Sequence, residues 1–275
     1  MSFRRRRKKK DKRRFRGVYL LPNLITTASL FAGFYAIIAA IDGRFHSAAI
    51  AILVSLVLDG LDGRVARMTQ STSDFGVQYD SLADLVAFGV APGLLVYLWA
   101  LKPYHQFGWV ATFLFVVCGA LRLARFNVQQ GSHDPRYFNG LPIPAAATMI
   151  ATAIIFYYEI GEWAPERHVY TLAMIYLLSF LMVSNVKYVS FKKMDLFQRH
   201  PFHSLVAVVL VFVVVATAPT IMGFLLMAAY VASGPISTIM YYRRRALLEK
   251  GESEPPTQNK SGLDLSGGGE ARKQA

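Results

Sequence analysis

The chain has 275 residues, of which hydrophobic residues make up 54% and charged residues only 17%. This balance excludes an ordinary soluble domain and indicates a protein with several membrane-spanning helices. Its formal net charge is +13, and its single cysteine, Cys118, excludes an intrachain disulfide.

The N-terminal segment, residues 1–18, is strongly basic, with eleven Lys or Arg among its first sixteen residues. Such a run could bind nucleic acid or anionic lipid. Because an apolar helix is predicted to begin within a few residues, we favour an anchor on the anionic cytoplasmic leaflet. We therefore expect membrane lipids, and no nucleic acid, as partners of this segment.

Residues 19–242 are predicted to form an all-α polytopic membrane domain with about eight transmembrane helices, each near the ~20 residues that a bilayer requires. The division between the last two helices depends on Ala218-Pro219-Thr220, and one helix across both would be too long for a single crossing. The predicted spans are residues 20–41, 48–65, 77–101, 109–123, 143–158, 170–186, 205–218 and 221–240.

The distribution of basic residues predicts the orientation, because cytoplasmic loops carry an excess of Lys and Arg. With eight spans both termini face the cytoplasm of a bacterial-type inner (plasma) membrane. The predicted outer loops carry only Arg44, Lys102 and Arg167. The predicted inner loops carry Arg64, Arg67, Arg122, Arg125, Arg136, Lys187, Lys192, Lys193 and Arg199. The polar tail, residues 243–275, is predicted to be a disordered cytoplasmic segment.

The stretch DGLDGRVARMTQSTSDFGVQYDSLAD, residues 59–84, carries four regularly spaced carboxylates. Ionisable groups inside apolar helices are costly, so they are functional candidates by default. Asp59 and Asp62 are three positions apart and Asp80 and Asp84 four, so each pair shares one helix face. If the two helices are antiparallel neighbours, the pairs face each other. Such an all-oxygen site suits Mg²⁺ or Mn²⁺, with room for two ions.

The spacing D-x2-D-G-x2-A-R-x8-G-x3-D-x3-D resembles the signature of the CDP-alcohol phosphatidyltransferases, membrane enzymes of phospholipid synthesis. The resemblance implies that residues 19–242 form a catalytic domain, commonly homodimeric, which displaces CMP from a CDP-linked lipid. It also implies that Asp59 and Asp80 are ligands shared by two metal ions and that Asp62 binds one of them. Asp84 is implied to bind the other ion and to act as the general base.

The same resemblance implies a binding site for CDP-diacylglycerol. Its small residues Gly63 and Ala66 allow close approach of the nucleotide, and Arg67 can pair with a phosphate. Ser73 and Gly76 belong to this implied site too. The segment Pro22-Asn23-Leu24-Ile25 resembles the family's cytidine-contacting segment, although Asn23 alone would read as a helix cap.

Three further segments, ALRLARFN, NGLPIPAAA and VSFKK, resemble the integral-membrane phosphatidylserine synthases within the family. The implied acceptor is L-serine, whose carboxylate requires a cation. The implied serine-binding residues are Arg122, Arg125, Asn127, Lys187 and Lys192. Each of the basic residues is equally consistent with positive-inside topology alone.

Two alternatives remain open from the sequence. Another member of the family would use glycerol 3-phosphate or an inositol phosphate, and either acceptor would also need a basic pocket. A cation-coupled transporter could use the four carboxylates as a relay. Against the transporter, the carboxylates are predicted near one membrane surface, and the sequence contains no evident internal repeat.

Overall fold

A computed structural model describes residues 20–69, 73–129, 137–161, 169–189 and 217–252. In this part of the chain the fold is helical apart from one short two-stranded ribbon. Two π-helical segments, Leu85–Val90 and Tyr97–Leu101, flank α4, and a 3₁₀ turn, Lys102–Tyr104, precedes α5. The elements are α1 (Leu20–Ile41), α2 (Phe45–Met68), α3 (Asp74–Asp84), α4 (Ala91–Val96), α5 (His105–Val128), β1 (Tyr137–Asn139), α6 (Ile143–Ile160), α7 (Val169–Val183), β2 (Lys187–Val189) and α8 (Pro219–Glu252).

Four helical segments of the described chain are long and apolar enough to cross a membrane, namely Leu21–Ile41, Asp74–Val128, Ile143–Ile160 and Pro219–Met240. A fifth apolar helix, Val169–Val183, is shorter. The prediction of a helical membrane protein is therefore confirmed. Seven of the eight predicted spans coincide with helices of the described chain. The remaining span, 205–218, lies almost wholly outside the described residues.

The segment Asp74–Val128 is 55 residues long and contains two predicted spans because the chain reverses within it. The reversal follows the 3₁₀ turn, where His105 has a φ of 48°. After the turn Gly108 packs directly against the carbonyl of Leu101, leaving no space for a Cβ. Further along, Gly93 of α4 lies against Thr112 and other residues of α5. The two halves are therefore antiparallel neighbours.

The first two helices pack closely because their shared face consists of small side chains. Ala36, Ala39 and Ala48 are fully buried. Ser29 and Ser55 bond each other across the interface: each hydroxyl donates to the other residue's carbonyl oxygen, at 3.0 and 2.9 Å. Small residues and interhelical hydroxyl bonds are the features that hold helices together in membranes, where lipid is as apolar as leucine.

The short ribbon pairs β1 with β2 in antiparallel register, with Phe138 opposite Tyr188. It lies at the start of α6, where Gly140 has a φ of +80° and donates its N–H to the carbonyl of Val186, 2.8 Å away. Tyr188 is fully buried and donates its hydroxyl to the carbonyl of Val231 in α8, at 3.1 Å. The ribbon was not predicted, since three-residue strands contain too little alternation to be recognised.

The described chain divides into two compact units, one up to Thr238 and one from Ile239 onward. The first holds all the elements above except the end of α8. The second contains the continuation of α8 to Glu252, ten residues into the segment predicted as a disordered tail. The sequence RRRALLEK is rich in strong helix formers, which accounts for the extension.

Candidate active site

The structure brings the four predicted carboxylates together at one end of the first helices. Asp59 and Asp62 lie in the last turns of α2, and Asp80 and Asp84 lie in α3. Carboxylate oxygens of Asp59, Asp62 and Asp80 all lie within 4.8 Å of one another. Asp84 lies within hydrogen-bonding distance of Asp59. The facing arrangement expected from the three- and four-residue spacings is thus what the fold produces.

The donor set fits a divalent cation of the magnesium class. Two oxygens bound to one Mg²⁺ at about 2.0–2.1 Å can be at most about 4.2 Å apart. The carboxylate oxygens here lie within 4.8 Å of one another. They would therefore need to move only slightly closer to bind one ion, or could be bridged by two. Among the residues described, the only ion pair within 4.0 Å is Arg44–Asp42, in the loop between α1 and α2. The clustered carboxylates therefore have no Lys or Arg partner at that distance, and a cation would relieve their repulsion.

Asp62 is the most enclosed of the four carboxylates, with 4% of its surface exposed. The hydroxyl of Thr26 in α1 donates to its Oδ2 across 2.8 Å, and Thr26 itself is 5% exposed. Sequence reasoning missed Thr26. The available signal was its position four residues after Pro22, which puts both residues on one face of α1.

A cavity of about 180 Å³ opens beside the carboxylates. Asp62 and Asp80 form part of its wall. Its volume lies below the roughly 300–1,000 Å³ of pockets that enclose a drug-sized ligand, so it could enclose only part of a nucleotide-lipid. Seven of the nine residues predicted to contact CDP-diacylglycerol line it, together with Thr26 and Val77: Pro22, Asn23, Gly63, Ala66, Arg67, Ser73 and Gly76.

The other two predicted contacts, Leu24 and Ile25, do not line this cavity. Leu24 is 63% exposed. Successive residues of a helix are rotated by about 100°, so the face that carries Pro22, Asn23 and Thr26 excludes the two residues between them. The cavity wall therefore includes the first half of the predicted four-residue contact segment and not the second.

The N-terminus of α3 lies at the edge of the cavity. Ser73 caps this helix by accepting a hydrogen bond from the backbone N–H of Gly76, at 3.0 Å. A Cβ on Gly76 would lie 3.3 Å from Oδ1 of Asn23, so α1 and α3 meet tightly here. Asn23 lies inside α1, which begins at Leu20, and so is not a helix cap. A helix N-terminus beside a cavity favours the binding of phosphate.

The two arginines predicted for the acceptor have different surroundings. Arg122 interacts electrostatically with Asp84, and its Nε is buried without a hydrogen-bond partner among the described residues. Arg125 instead donates from Nη1 to the carbonyl of Val183 at 3.2 Å and to Oδ1 of Asn185 at 3.4 Å. Arg125 thus secures the end of α7, whereas Arg122 interacts electrostatically with Asp84 and with Tyr230.

Of the remaining predicted acceptor residues, the structure describes the side chain of Asn127 alone. Asn127 donates from Nδ2 to the hydroxyl of Ser81, 2.9 Å away, and so ties the end of α5 to α3. Lys187 lies in β2, but its side chain is outside the described part of the chain, as is all of Lys192. Among the predicted acceptor side chains that the structure describes, Arg122 alone has a buried donor without a hydrogen-bond partner.

Comparison with known proteins gives a consistent result. The sequence model of the CDP-alcohol phosphatidyltransferase family matches residues 19–186. A Helicobacter pylori protein named CDP-diacylglycerol–serine O-phosphatidyltransferase is 46% identical over 178 residues, which cover 64% of this chain and 74% of that protein. A Bacillus subtilis protein of the same name is 36% identical over 178 residues, 63% of this chain and 92% of the relative. An archaetidylserine synthase of Methanothermobacter thermautotrophicus is 36% identical over 170 residues, 61% of this chain and 69% of the relative.

Proposed function

Because the chain belongs to the CDP-alcohol phosphatidyltransferase family, we propose that it transfers the phosphatidyl group from CDP-diacylglycerol to L-serine and releases CMP. The names of the relatives support serine as the acceptor. The observation that carries the proposal is the set of Asp59, Asp62 and Asp80 oxygens within 4.8 Å of one another, beside a cavity lined by seven predicted contacts of the nucleotide-lipid. Divalent metal ions held next to a phosphate can stabilise both the attacking and the leaving oxygen of such a transfer.

The four aspartates are proposed as the ligands of two Mg²⁺ or Mn²⁺ ions, with Asp59 and Asp80 shared. Bound there, the ions would neutralise charge on the attacked phosphate and on the departing CMP. The chain's own contribution is to hold four carboxylates on two rigid helices at the edge of the membrane. Thr26 adds a donor to Asp62, and the cap at Ser73 fixes where α3 begins.

The nucleotide-lipid is proposed to bind in the cavity between α1 and the ends of α2 and α3. Asn23 and Gly76 lie close together there, and we assign them to the nucleotide. The guanidinium of Arg67 lies over Gly63, with Nη1 3.5 Å from where a Cβ of that glycine would be. Arg67 is exposed and can swing to a phosphate oxygen, a contact that its planar fork suits.

The acceptor is proposed to bind between Arg122 and Asp84. The guanidinium of Arg122 would pair with the serine carboxylate, which leaves the hydroxyl directed at the phosphate. The serine oxygen then forms a bond to the phosphorus that carries diacylglycerol, and the bond from that phosphorus to CMP breaks. Asp84 would accept the proton of the serine hydroxyl as general base.

The test is an acceptor panel with purified full-length protein in detergent. CMP release from CDP-diacylglycerol would be measured with L-serine, glycerol 3-phosphate and inositol phosphate, with Asp80→Asn as the inactive control. We expect release with serine alone. Preference for either phosphorylated acceptor would refute the serine assignment and keep the family, whereas no CMP release with any of them would refute the transferase.

We further propose that both termini and the site face the cytoplasm of a bacterial inner membrane, and that the protein is a homodimer. The arginines near the site, Arg64, Arg67, Arg122 and Arg125, support this orientation. The eight-span count is supported by the direction of α8: Phe224 stacks on Phe156 late in α6, and Val231 bonds Tyr188 of the ribbon at the start of α6. Strand β2 therefore ends at Val189 on the side of the active site, whereas α8 begins at Pro219 on the opposite side.

A further inference from the structure

The hydroxyl of Thr26 has two acceptors and one proton. Its Oγ1 lies 2.8 Å from Oδ2 of Asp62 in α2 and 3.1 Å from the carbonyl oxygen of Pro22 one turn earlier in α1. A hydroxyl donates only one hydrogen, and the bond to a carboxylate is the stronger of the two because the acceptor is charged. The hydroxyl is therefore directed at Asp62 whenever that carboxylate is ionised.

The position of this hydroxyl is fixed by the packing around it. Three residues further along α1, the hydroxyls of Ser29 and Ser55 each donate to the other residue's carbonyl oxygen across the same interface, which holds the two helices close together. Thr26 and Asp62 are both nearly inaccessible to solvent, with 5% and 4% of their surfaces exposed. The loss of this donor would leave the largely buried carboxylate less well satisfied.

We propose that Thr26 is a positioning residue, whose hydroxyl fixes the orientation of the Asp62 carboxylate for binding a divalent ion. With Oδ2 held, rotation of the carboxylate about its last bond is restricted, and so is the direction of its remaining lone pairs. Outer-shell partners of this kind orient metal ligands and raise metal affinity. The inference rests on the proposed metal site.

Thr26 also connects that ligand to the nucleotide-lipid site. Pro22, Asn23 and Thr26 all line the cavity, on one face of α1. A lipid substrate that displaces this face would move the donor of Asp62, and a bound ion would hold the face in place. We therefore expect metal affinity and the KM for CDP-diacylglycerol to change together in Thr26 variants, while the KM for serine changes less.

Two variants of Thr26 and one control variant separate the effect of the hydroxyl from the effect of side-chain shape. Thr26→Val removes the hydroxyl at nearly constant volume, and Thr26→Ser keeps it. The matched control is Thr152→Val in α6. Thr152 is 8% exposed, and its hydroxyl donates to the carbonyl of Thr148 in its own helix at 2.8 Å, with the carbonyl of Met149 3.3 Å away. The control removes a buried threonine hydroxyl that has no carboxylate partner.

The experiment is a titration of the purified full-length protein with Mn²⁺ alone, in detergent, with free Mn²⁺ followed by electron paramagnetic resonance. We expect Thr26→Val to weaken Mn²⁺ binding about 10- to 100-fold, with Thr26→Ser and Thr152→Val close to wild type. Thermal unfolding of each variant verifies that the helices are intact. This readout needs neither substrate, so a failed acceptor panel would leave its result unaffected.

Two results would overturn this inference and leave the proposed metal site intact. One is wild-type Mn²⁺ affinity in Thr26→Val, and the other is a folded Thr26→Ser that binds as weakly as Thr26→Val. A wild-type protein that binds no Mn²⁺ would overturn the metal site and this inference with it.

Discussion

Replacing Arg122 with Ala should selectively weaken the use of serine. The Nε of Arg122 is buried and has no hydrogen-bond partner among the described residues, although the side chain lies within electrostatic reach of Asp84. A buried donor of this kind needs an acceptor, and a serine carboxylate would supply one. Loss of one charge-assisted bond costs about 1.5–3 kcal/mol, which corresponds to an increase of about 10- to 150-fold in the KM for serine.

Arg125→Ala is the matched control, because Arg125 lies one turn further along the same helix and already has partners. Its bonds to Val183 and Asn185 are long, at 3.2 and 3.4 Å. Their removal should lower the free energy of unfolding by about 0.5–1.5 kcal/mol per bond and leave the serine KM near wild type. Arg122→Lys should be intermediate, since an ammonium keeps the charge but not the planar fork.

The assay is steady-state CMP release with each substrate varied in turn, on variants that remain monodisperse in chromatography. Arg122→Ala should change the KM for serine far more than the KM for CDP-diacylglycerol. The reasoning fails if serine dependence is unchanged in Arg122→Ala, or if Arg125→Ala shows the larger effect. An unchanged serine dependence would mean that the carboxylate is bound elsewhere, and Lys187 would be tested next. A larger effect of Arg125→Ala would assign the carboxylate to Arg125.

Three other outcomes follow from the fold and the site. Asp59→Asn should abolish Mn²⁺ binding and turnover together, and full turnover of the washed wild type in excess EDTA would contradict the metal requirement. Gly33→Ala should destabilise the protein by about 1–3 kcal/mol, because the added Cβ would lie 2.7 Å from the Cα of Ala87. Thermal unfolding should show no such loss for Gly60→Ala, because no atom of a neighbouring element lies within 4 Å of the Cβ added there. A reporter fused after Arg245 should be active only in the cytoplasm, and activity on the outer side alone would exclude an even number of crossings.

The carboxylate cluster could be predicted because its geometry is set locally. Spacings of three and four residues place each pair on one helix face, and a short polar link makes α2 and α3 neighbours. The polar residues are also conspicuous against apolar surroundings. Helix positions were predictable because a bilayer imposes a length and a composition on each crossing.

Residues whose function depends on tertiary partners could not be predicted from spacing. Arg122 and Arg125 are separated by about 60° around the helix, yet one faces Asp84 and the other the end of α7. The bond from Thr26 to Asp62 joins residues 36 positions apart. The position of Thr26 four residues after Pro22 indicates its face of α1, but the sequence does not indicate which carboxylate it meets, because the rotation of α1 against α2 is set by packing at Ser29 and Ser55.

The distribution of polar groups also distinguishes a transferase from a cation-coupled transporter. A relay across the membrane would need ionisable or hydrated groups along the helices, not at one end only. In the described chain the core away from the site is apolar, with Ile52, Leu95 and Phe115 fully buried. The buried hydroxyls in α6 and α7, such as those of Thr152 and Ser179, bond carbonyls of their own helices and offer no path. This distribution supports the proposed chemical step at the carboxylates over a relay across the membrane.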